Sequence, residues 1–308
     1  MVTEEQLGGK AMSNEANVLI LRTLLGDYPN TIALKKGEVR APGLDFDFAD
    51  VKVPNTAFKD VVRHLKYDVA ELAIVTYLQA KAHGKPLVLL PAVVVGTLPH
   101  PFLAYNIERG RIMPADLKGR RVGIRAYSVT TAAWIRGILQ NDHGVDLNTI
   151  EWITFEDPHI AEYHDPAGAE RAPTGKQLGQ MLLDGEIDAG LVGAADLKDP
   201  RLQPVIANPD EAAKTWCRDN NALPINHMLV VKESLRQTKP AAVKEIFRAL
   251  RASKAAAPAL SAFDPIQFGV ENIRPSLELI IKYAAQQKLI PRRFEVDELF
   301  DDVTRALG

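Results

Sequence analysis

Met113-Pro114-Ala115-Asp116-Leu117-Lys118-Gly119-Arg120-Arg121-Val122-Gly123-Ile124-Arg125-Ala126-Tyr127-Ser128-Val129-Thr130-Thr131-Ala132-Ala133-Trp134-Ile135-Arg136-Gly137-Ile138-Leu139 is the stretch on which the fold turns. Met113 to Leu117 reads as a helical turn, Lys118-Gly119-Arg120 as a turn, and Arg121 to Arg125 as a strand. Ser128 to Thr131 is a run of residues that cap helices, because their short side chains can accept from free backbone N–H groups. The helix that follows starts near Thr131, runs through Trp134, Ile135 and Ile138, and stops near Gly144. Downstream, Ile150 to Thr154 is a strand, Thr174 to Leu183 a helix broken by Gly185, and Ile187 to Val192 another strand. This strand-helix alternation predicts a parallel sheet wrapped by helices.

Upstream, Val18 to Thr23 and Leu44 to Phe48 read as strands, the second alternating apolar and acidic residues as a half-buried strand does. Phe58, Val61, Val62 and Leu65 have helical spacing within Thr56 to Leu65. Tyr67 to Leu72 is a strand leading into a helix from about Ile74 to Lys81. Leu87 to Val95 is an apolar run of the kind covered on both faces. Towards the end, Met228 to Lys232 is a strand, and Pro240 to Leu307 is mostly helical, with Val243, Ile246, Phe247 and Leu250 on one face. Residues 156 to 175, rich in proline, glycine and polar groups, are expected to form a mobile surface loop.

Composition excludes several classes of function. Of 308 residues, 46% are hydrophobic and 25% charged, which a disordered chain does not show. The net charge is −2, from 37 basic and 39 acidic side chains, so no basic excess exists to displace counterions from nucleic acid. No run approaches the roughly 20 apolar residues of a membrane span. The chain is long enough for two domains. A lone cysteine, Cys217, makes neither an internal disulfide nor a cysteine cluster for metal. Glu4, Glu5 and Glu15 stand where a secretory leader carries positive charge, so a cytoplasmic protein is expected, with residues 1 to about 15 loose. Glycine-rich nucleotide loops and the Gly-x-Ser-x-Gly nucleophile pattern are absent from the sequence.

Two motifs resemble the type II periplasmic-binding-protein fold: Ala115 to Gly123, similar to "DLKGKRVGV", and Gly185-Glu186-Ile187-Asp188-Ala189, similar to "GEIDA". Three more resemble the 4,5-dihydroxyphthalate decarboxylase family, which is built on that fold. They are Tyr67-Asp68-Val69-Ala70-Glu71-Leu72, the stretch from Tyr127 to Leu139, and Leu223-Pro224-Ile225-Asn226-His227. The family's counterparts are of the type "FDVSEL", "YQMTAAVWVRGIL" and "FPIMH". With the order of elements, the resemblance spans nearly the whole chain. It implies an α/β, two-lobed fold with a central cleft. Lobe 1 would comprise 1–105 plus 223–308, with the C-terminal helices returning to it, and lobe 2 would comprise 106–222. At Pro91 to His100 the chain departs from the family, whose arginine-rich "PSRAFRH" segment is replaced by a run without arginine. Guanidinium forks suited to two carboxylates are missing there, which argues against 4,5-dihydroxyphthalate itself and leaves open a smaller or less charged aromatic acid.

The candidate site residues follow from strand ends and from these motifs. Ser128, Thr130 and Thr131 sit where strand passes to helix, and open α/β sheets bind ligands beyond their strand ends. Free N–H groups there would receive a carboxylate, although plain capping explains the same residues. Arg125 closes the same strand and could clamp a carboxylate, whereas Arg136, further along the helix, reads as structural. Tyr127 and Asn226 enter through the motifs that hold them. Arg22, at the end of the first strand, would face the cleft, and Tyr77 could offer its hydroxyl to a ligand or pack in the core. His227 and His100 are the candidate proton donors, because imidazole titrates near neutrality. Glu71, an acid among apolar residues, is costly to bury unless it is paired or functional. His159 and His164 read as loop residues without a metal-binding pattern.

The resemblance implies decarboxylation of a hydroxylated aromatic acid, with no cofactor and no metal. Glu71 would engage the ring hydroxyl, His227 or His100 would protonate the ring, and the Ser128 to Thr131 turn with Arg125 would hold a carboxylate. The expected partner is a small aromatic or organic acid, not nucleic acid or a membrane, and a second copy of the chain is left open. The alternatives are a solute-binding protein without chemistry and a lyase acting on a non-aromatic acid.

Overall fold

The computed structural model describes residues 18–258 and 264–308, so the expected loose N-terminal stretch lies outside the described residues. Among those described, strands lie at β1 Leu19–Leu24, β2 Leu44–Phe48, β3 Val69–Ala73, β4 Leu87–Gly96, β5 Leu103–Asn106, β6 Arg121–Ile124, β7 Glu151–Thr154, β8 Ala169–Arg171, β9 Ala189–Leu191, β10 Leu202–Pro204 and β11 Ile225–Lys232. The α-helices are α1 Ile32–Lys35, α2 Phe58–His64, α3 Ile74–Ala82, α4 Thr130–Asp142, α5 Leu178–Asp184, α6 Pro209–Asn220, α7 Glu233–Thr238, α8 Pro240–Ala255, α9 Val270–Gln286 and α10 Asp302–Arg305.

The strands form two sheets, one in each lobe of a two-lobed α/β fold. The first has the order β2-β1-β3-β11-β4 and the second β10-β5-β9-β6-β7-β8. The chain leaves the first sheet after β4, enters the second at β5, and returns as β11 between β3 and β4. The expected parallel pairing holds for β1 with β2 and β3, and for β6 with β7 and β9. It fails for β5, β10 and β11, which pair antiparallel. β5 and β11 are the strands through which the chain changes sheet, so neither is joined to a preceding strand of its own sheet by a direct strand-helix-strand crossover that would set a parallel direction.

Local chemistry explains the elements. β4 is buried along most of its length, as its apolar run requires, and its Pro91 is tolerated because the strand lies at a sheet edge where a missing N–H breaks no ladder. α4 buries a continuous apolar face, and Gly137 within it lets α9 approach: a Cβ there would sit 2.0 Å from the Tyr283 ring. α8 and α10 pack on β4 of the first sheet. α9 does not, since it lies against α4 and α3 and so bridges the two halves. One apolar cluster accordingly runs from Leu72 and Leu89 of the first sheet through Trp134 and Tyr283 to Val122 and Trp152 of the second.

Residues 156 to 175 are not simply a surface loop. Ile160 is fully buried, His159 nearly so, and Ala169–Arg171 forms the edge strand β8.

Candidate functional site

A cavity of about 330 Å³ lies between the sheets. From the first half it is lined by Phe58, Ala73, Val95, Thr97, Asn226 and His227, and from the second chiefly by Arg125, Val129, Thr130, Thr131 and His159. The apolar part of the wall includes Val95 of β4.

His227 stands on β11, opposite Ala73 of β3, while Glu71 lies opposite Leu229. The two side chains are therefore a diagonal pair on one face of the sheet. His227 Nδ1 lies 2.9 Å from Glu71 Oε1. Glu71 is fully buried, and a carboxylate there requires donors. It has three: His227, the Gly26 backbone N–H at 2.7 Å and the Tyr28 hydroxyl at 2.9 Å. Burial and the adjacent Glu71 carboxylate raise the Tyr28 phenol far above its ordinary range, so it remains a donor. Gly26 is required by this arrangement, since a Cβ on it would lie 2.5 Å from the Tyr28 ring. Thr31 locks the turn by accepting from the Tyr28 N–H and donating to the Gly26 carbonyl. With Nδ1 on Glu71, His227 keeps Nε2 for the cavity, and its ring meets Phe58 edge-on at 5.0 Å.

Opposite, α4 opens with Val129 in extended geometry and no side-chain cap. The first N–H to bond inside the helix is that of Ala133, to the Val129 carbonyl at 2.9 Å. The N–H groups of Thr130, Thr131 and Ala132 are left as donors at the positive end of the helix. Asn226 ties this end to the first sheet, donating to Thr131 Oγ1 at 3.0 Å and accepting from the Thr97 N–H at 2.7 Å. Arg125 reaches the same wall and is paired with Glu156 at 2.7 Å. Arg136 is fully buried, donating to the Tyr127 carbonyl and to Gln287, so it supports the turn from behind.

The structure thus brings together His227, Arg125, Thr130, Thr131 and Asn226, with Glu71 behind His227. It does not bring the other candidates to the cavity wall. Glu71 itself has no opening onto the cavity, so it is placed to orient His227 rather than to meet a ring hydroxyl. Tyr127 and Ser128 are buried beside the turn, the former edge-on to Trp152. Arg22 is exposed and lies over Tyr67, because strand alternation points its neighbours Leu21 and Thr23 inward and Arg22 outward. Tyr77 is in the core, its hydroxyl donating to the Leu299 carbonyl at 3.0 Å. His100, held between two prolines, turns towards Trp216 in a separate cavity of about 240 Å³ with Asp142 and His143. Burial, with His143 nearby, lowers its imidazole to about 4.

Phe58 and His159, both on the cavity wall, escaped the sequence reading as site residues. Phe58 carries the apolar face between the imidazoles, and its helical spacing marked it only as core. His159 comes from the second half, yet its Nδ1 lies 2.8 Å from Thr76 Oγ1 on α3 of the first. Arg63 clasps the same segment by donating to the Pro158 and His159 carbonyls, each at 2.8 Å, and Lys85 pairs with Glu162 at 2.6 Å. Burial, then Arg125 and other cations, lowers the His159 imidazole to about 3, so it is neutral. Among the described residues no group of three or more His, Cys, Asp or Glu is arranged to hold a metal ion, and no helix is long and apolar enough to cross a membrane.

No protein-family model matches the chain. Among curated proteins, a 4,5-dihydroxyphthalate decarboxylase of Comamonas testosteroni is 31% identical over 252 residues, covering 78% of this chain and 76% of the relative. One of the same name from Pseudomonas putida is 30% identical over 214 residues, covering 66% of this chain and 83% of its own. Solved structures share the fold at low identity. The alkanesulfonate-binding protein SsuA of Xanthomonas axonopodis pv. citri, bound to MOPS, matches with a TM-score of 0.58 at 15% identity, over 92% of this chain and 98% of its own. The aliphatic sulphonate-binding SsuA of Escherichia coli matches with 0.60 at 13%, over 92% and 97%. The desulfurization enzyme DSZB matches with 0.58 at 14%, over 93% and 97%.

Proposed function

Since the chain belongs to the 4,5-dihydroxyphthalate decarboxylase family, we propose that it removes carbon dioxide from a hydroxylated aromatic carboxylic acid using its own side chains. The observation that carries this reading is the Glu71–His227 pair at 2.9 Å, set in a cavity wall that faces the open end of α4. The substrate carboxylate lies towards Arg125 and the free N–H groups of Thr130 and Thr131. His227, held through Nδ1 by Glu71, presents an Nε2 proton towards the ring. That proton passes to the ring carbon bearing the carboxylate, the ring–carboxylate bond breaks, and its electron pair restores aromaticity. Carbon dioxide leaves and His227 regains a proton from solvent. The apolar wall excludes water and sharpens these charges.

Incubation with a panel of hydroxybenzoates and hydroxyphthalates, with released carbon dioxide as the readout, tests the proposal. Release from at least one acid, abolished in His227→Ala, is the expected result. Tight binding of an acid with no turnover across the panel would replace it with a solute-binding protein.

A further inference from the structure

We propose that His159 is a specificity-determining residue of this cavity: its imidazole, supplied by the second lobe and anchored on Thr76, hydrogen-bonds a ring hydroxyl of the substrate. The inference rests on the decarboxylase reading and deepens it by assigning the group that recognises the hydroxyl. His159 and His227 both meet the Phe58 ring edge-on, at 5.5 and 5.0 Å. They therefore stand within two ring contacts of each other, on the scale of one substituted benzene ring. His159 commits Nδ1 to Thr76, while Nε2 has no protein partner among the described residues and is not sealed off. With no protein partner, Nε2 is left to hydrogen-bond a group that enters the cavity.

The chemistry of the ring selects that partner. Thr76 can donate to Nδ1 or accept from it, so Nε2 is either a donor or an acceptor. A hydroxyl satisfies both cases, whereas a carboxylate satisfies only the donor. The cavity thus separates its tasks: Arg125 and the end of α4 for the carboxylate, His227 for the proton and His159 for the hydroxyl. Three contacts, Arg63 to residues 158 and 159, Thr76 to His159 and Lys85 to Glu162, hold His159 in place, so hydroxyl recognition requires the lobes to be closed.

The test compares wild type, His159→Phe and His159→Gln on a hydroxylated acid that the panel shows to be turned over, with its dehydroxylated analogue as competitive inhibitor. The expected result for His159→Phe is a kcat/KM lower by roughly 10- to 100-fold, from one lost and unreplaced hydrogen bond. The inhibition constant of the analogue should stay within about twofold, a contact with the hydroxyl alone being lost, and His159→Gln should recover part of kcat/KM. Thr76→Val, which touches no substrate, should shift the same preference and carries the test if His159→Phe does not fold. A kcat/KM for His159→Phe (or, in its place, Thr76→Val) equal to wild type, or an equal loss of affinity for the acid and its analogue, would overturn the inference and leave the decarboxylase reading standing. Wild type that turns over no acid of the panel overturns both.

Discussion

Glu71 and His227 meet at 2.9 Å from adjacent antiparallel strands, and the carboxylate behind the imidazole is closed to solvent on every side. Gly26, Tyr28 and His227 all donate to it, so the pair is held by the fold before any ligand arrives. His227 is thereby oriented by a group that does not line the cavity.

His227→Ala should lower kcat by about 10²- to 10⁴-fold, the usual contribution of a general acid. Glu71→Gln keeps the shape and removes the charge, and should also lower kcat. Because the two act as a unit, the double variant should be little worse than His227→Ala alone. Steady-state rates of the three variants check this, and additive losses would separate the residues.

Arg125 is paired with Glu156 at a partly exposed position, where such pairs contribute only about 0–1 kcal/mol and yield readily to a ligand. Arg125→Met should raise KM by roughly tenfold or more, a charge-assisted hydrogen bond being worth about 1.5–3 kcal/mol, with kcat less affected. Glu156→Gln should lower KM by releasing the guanidinium. An unchanged KM in Arg125→Met would place the carboxylate elsewhere.

Gly26→Ala should push the Tyr28 ring off its seat, at a cost of about 1–3 kcal/mol for overpacking. The melting temperature and kcat should fall together, because Tyr28 and the Gly26 N–H are both donors to Glu71. Tyr28→Phe separates the two effects: it keeps the ring and removes only the hydroxyl. A Gly26→Ala protein with wild-type melting and rate would show that the turn has no hold on Glu71.

Acid should weaken the fold through its buried imidazoles. His159 is lowered to about 3 and His100 to about 4, both by burial first, against about 6.5 in the unfolded chain. Between those values the unfolded chain binds more protons, so the stability these rings allow is complete above pH 6.5 and is lost as pH falls towards 4 and 3. Thermal melts over this range check it: the melting temperatures of His159→Gln and wild type should converge or cross as pH falls. A constant difference would mean that His159 does not titrate on unfolding.

Cys217 is buried and its thiol is pushed up to about 11 by desolvation. Iodoacetamide at mildly alkaline pH should therefore alkylate the native protein slowly and the denatured protein fast, as mass spectrometry would show. Rapid native labelling would count against this burial.

Much of the site was legible where local sequence alone dictates geometry. The cap-type run before Trp134 marks the open end of α4, and an acid inside the apolar Val69 to Leu72 run marks Glu71. Legibility ended where the third dimension decides. Arg22 follows strand alternation rather than the rule that strand ends face the cleft. β5 and β10, of four and three residues, are too short to carry a period. His159 sits in a polar, proline-containing stretch, and only contacts with Arg63 and Thr76, more than eighty residues away in the chain, bury it.

The apolar cluster that passes from β3 and β4 through α4 and α9 to β6 and β7 makes the two sheets thermal dependants of one another. A polypeptide so joined melts in a single step, because neither half keeps its inner wall dry alone. A gene severed at either crossing would yield two sticky fragments rather than two folded proteins.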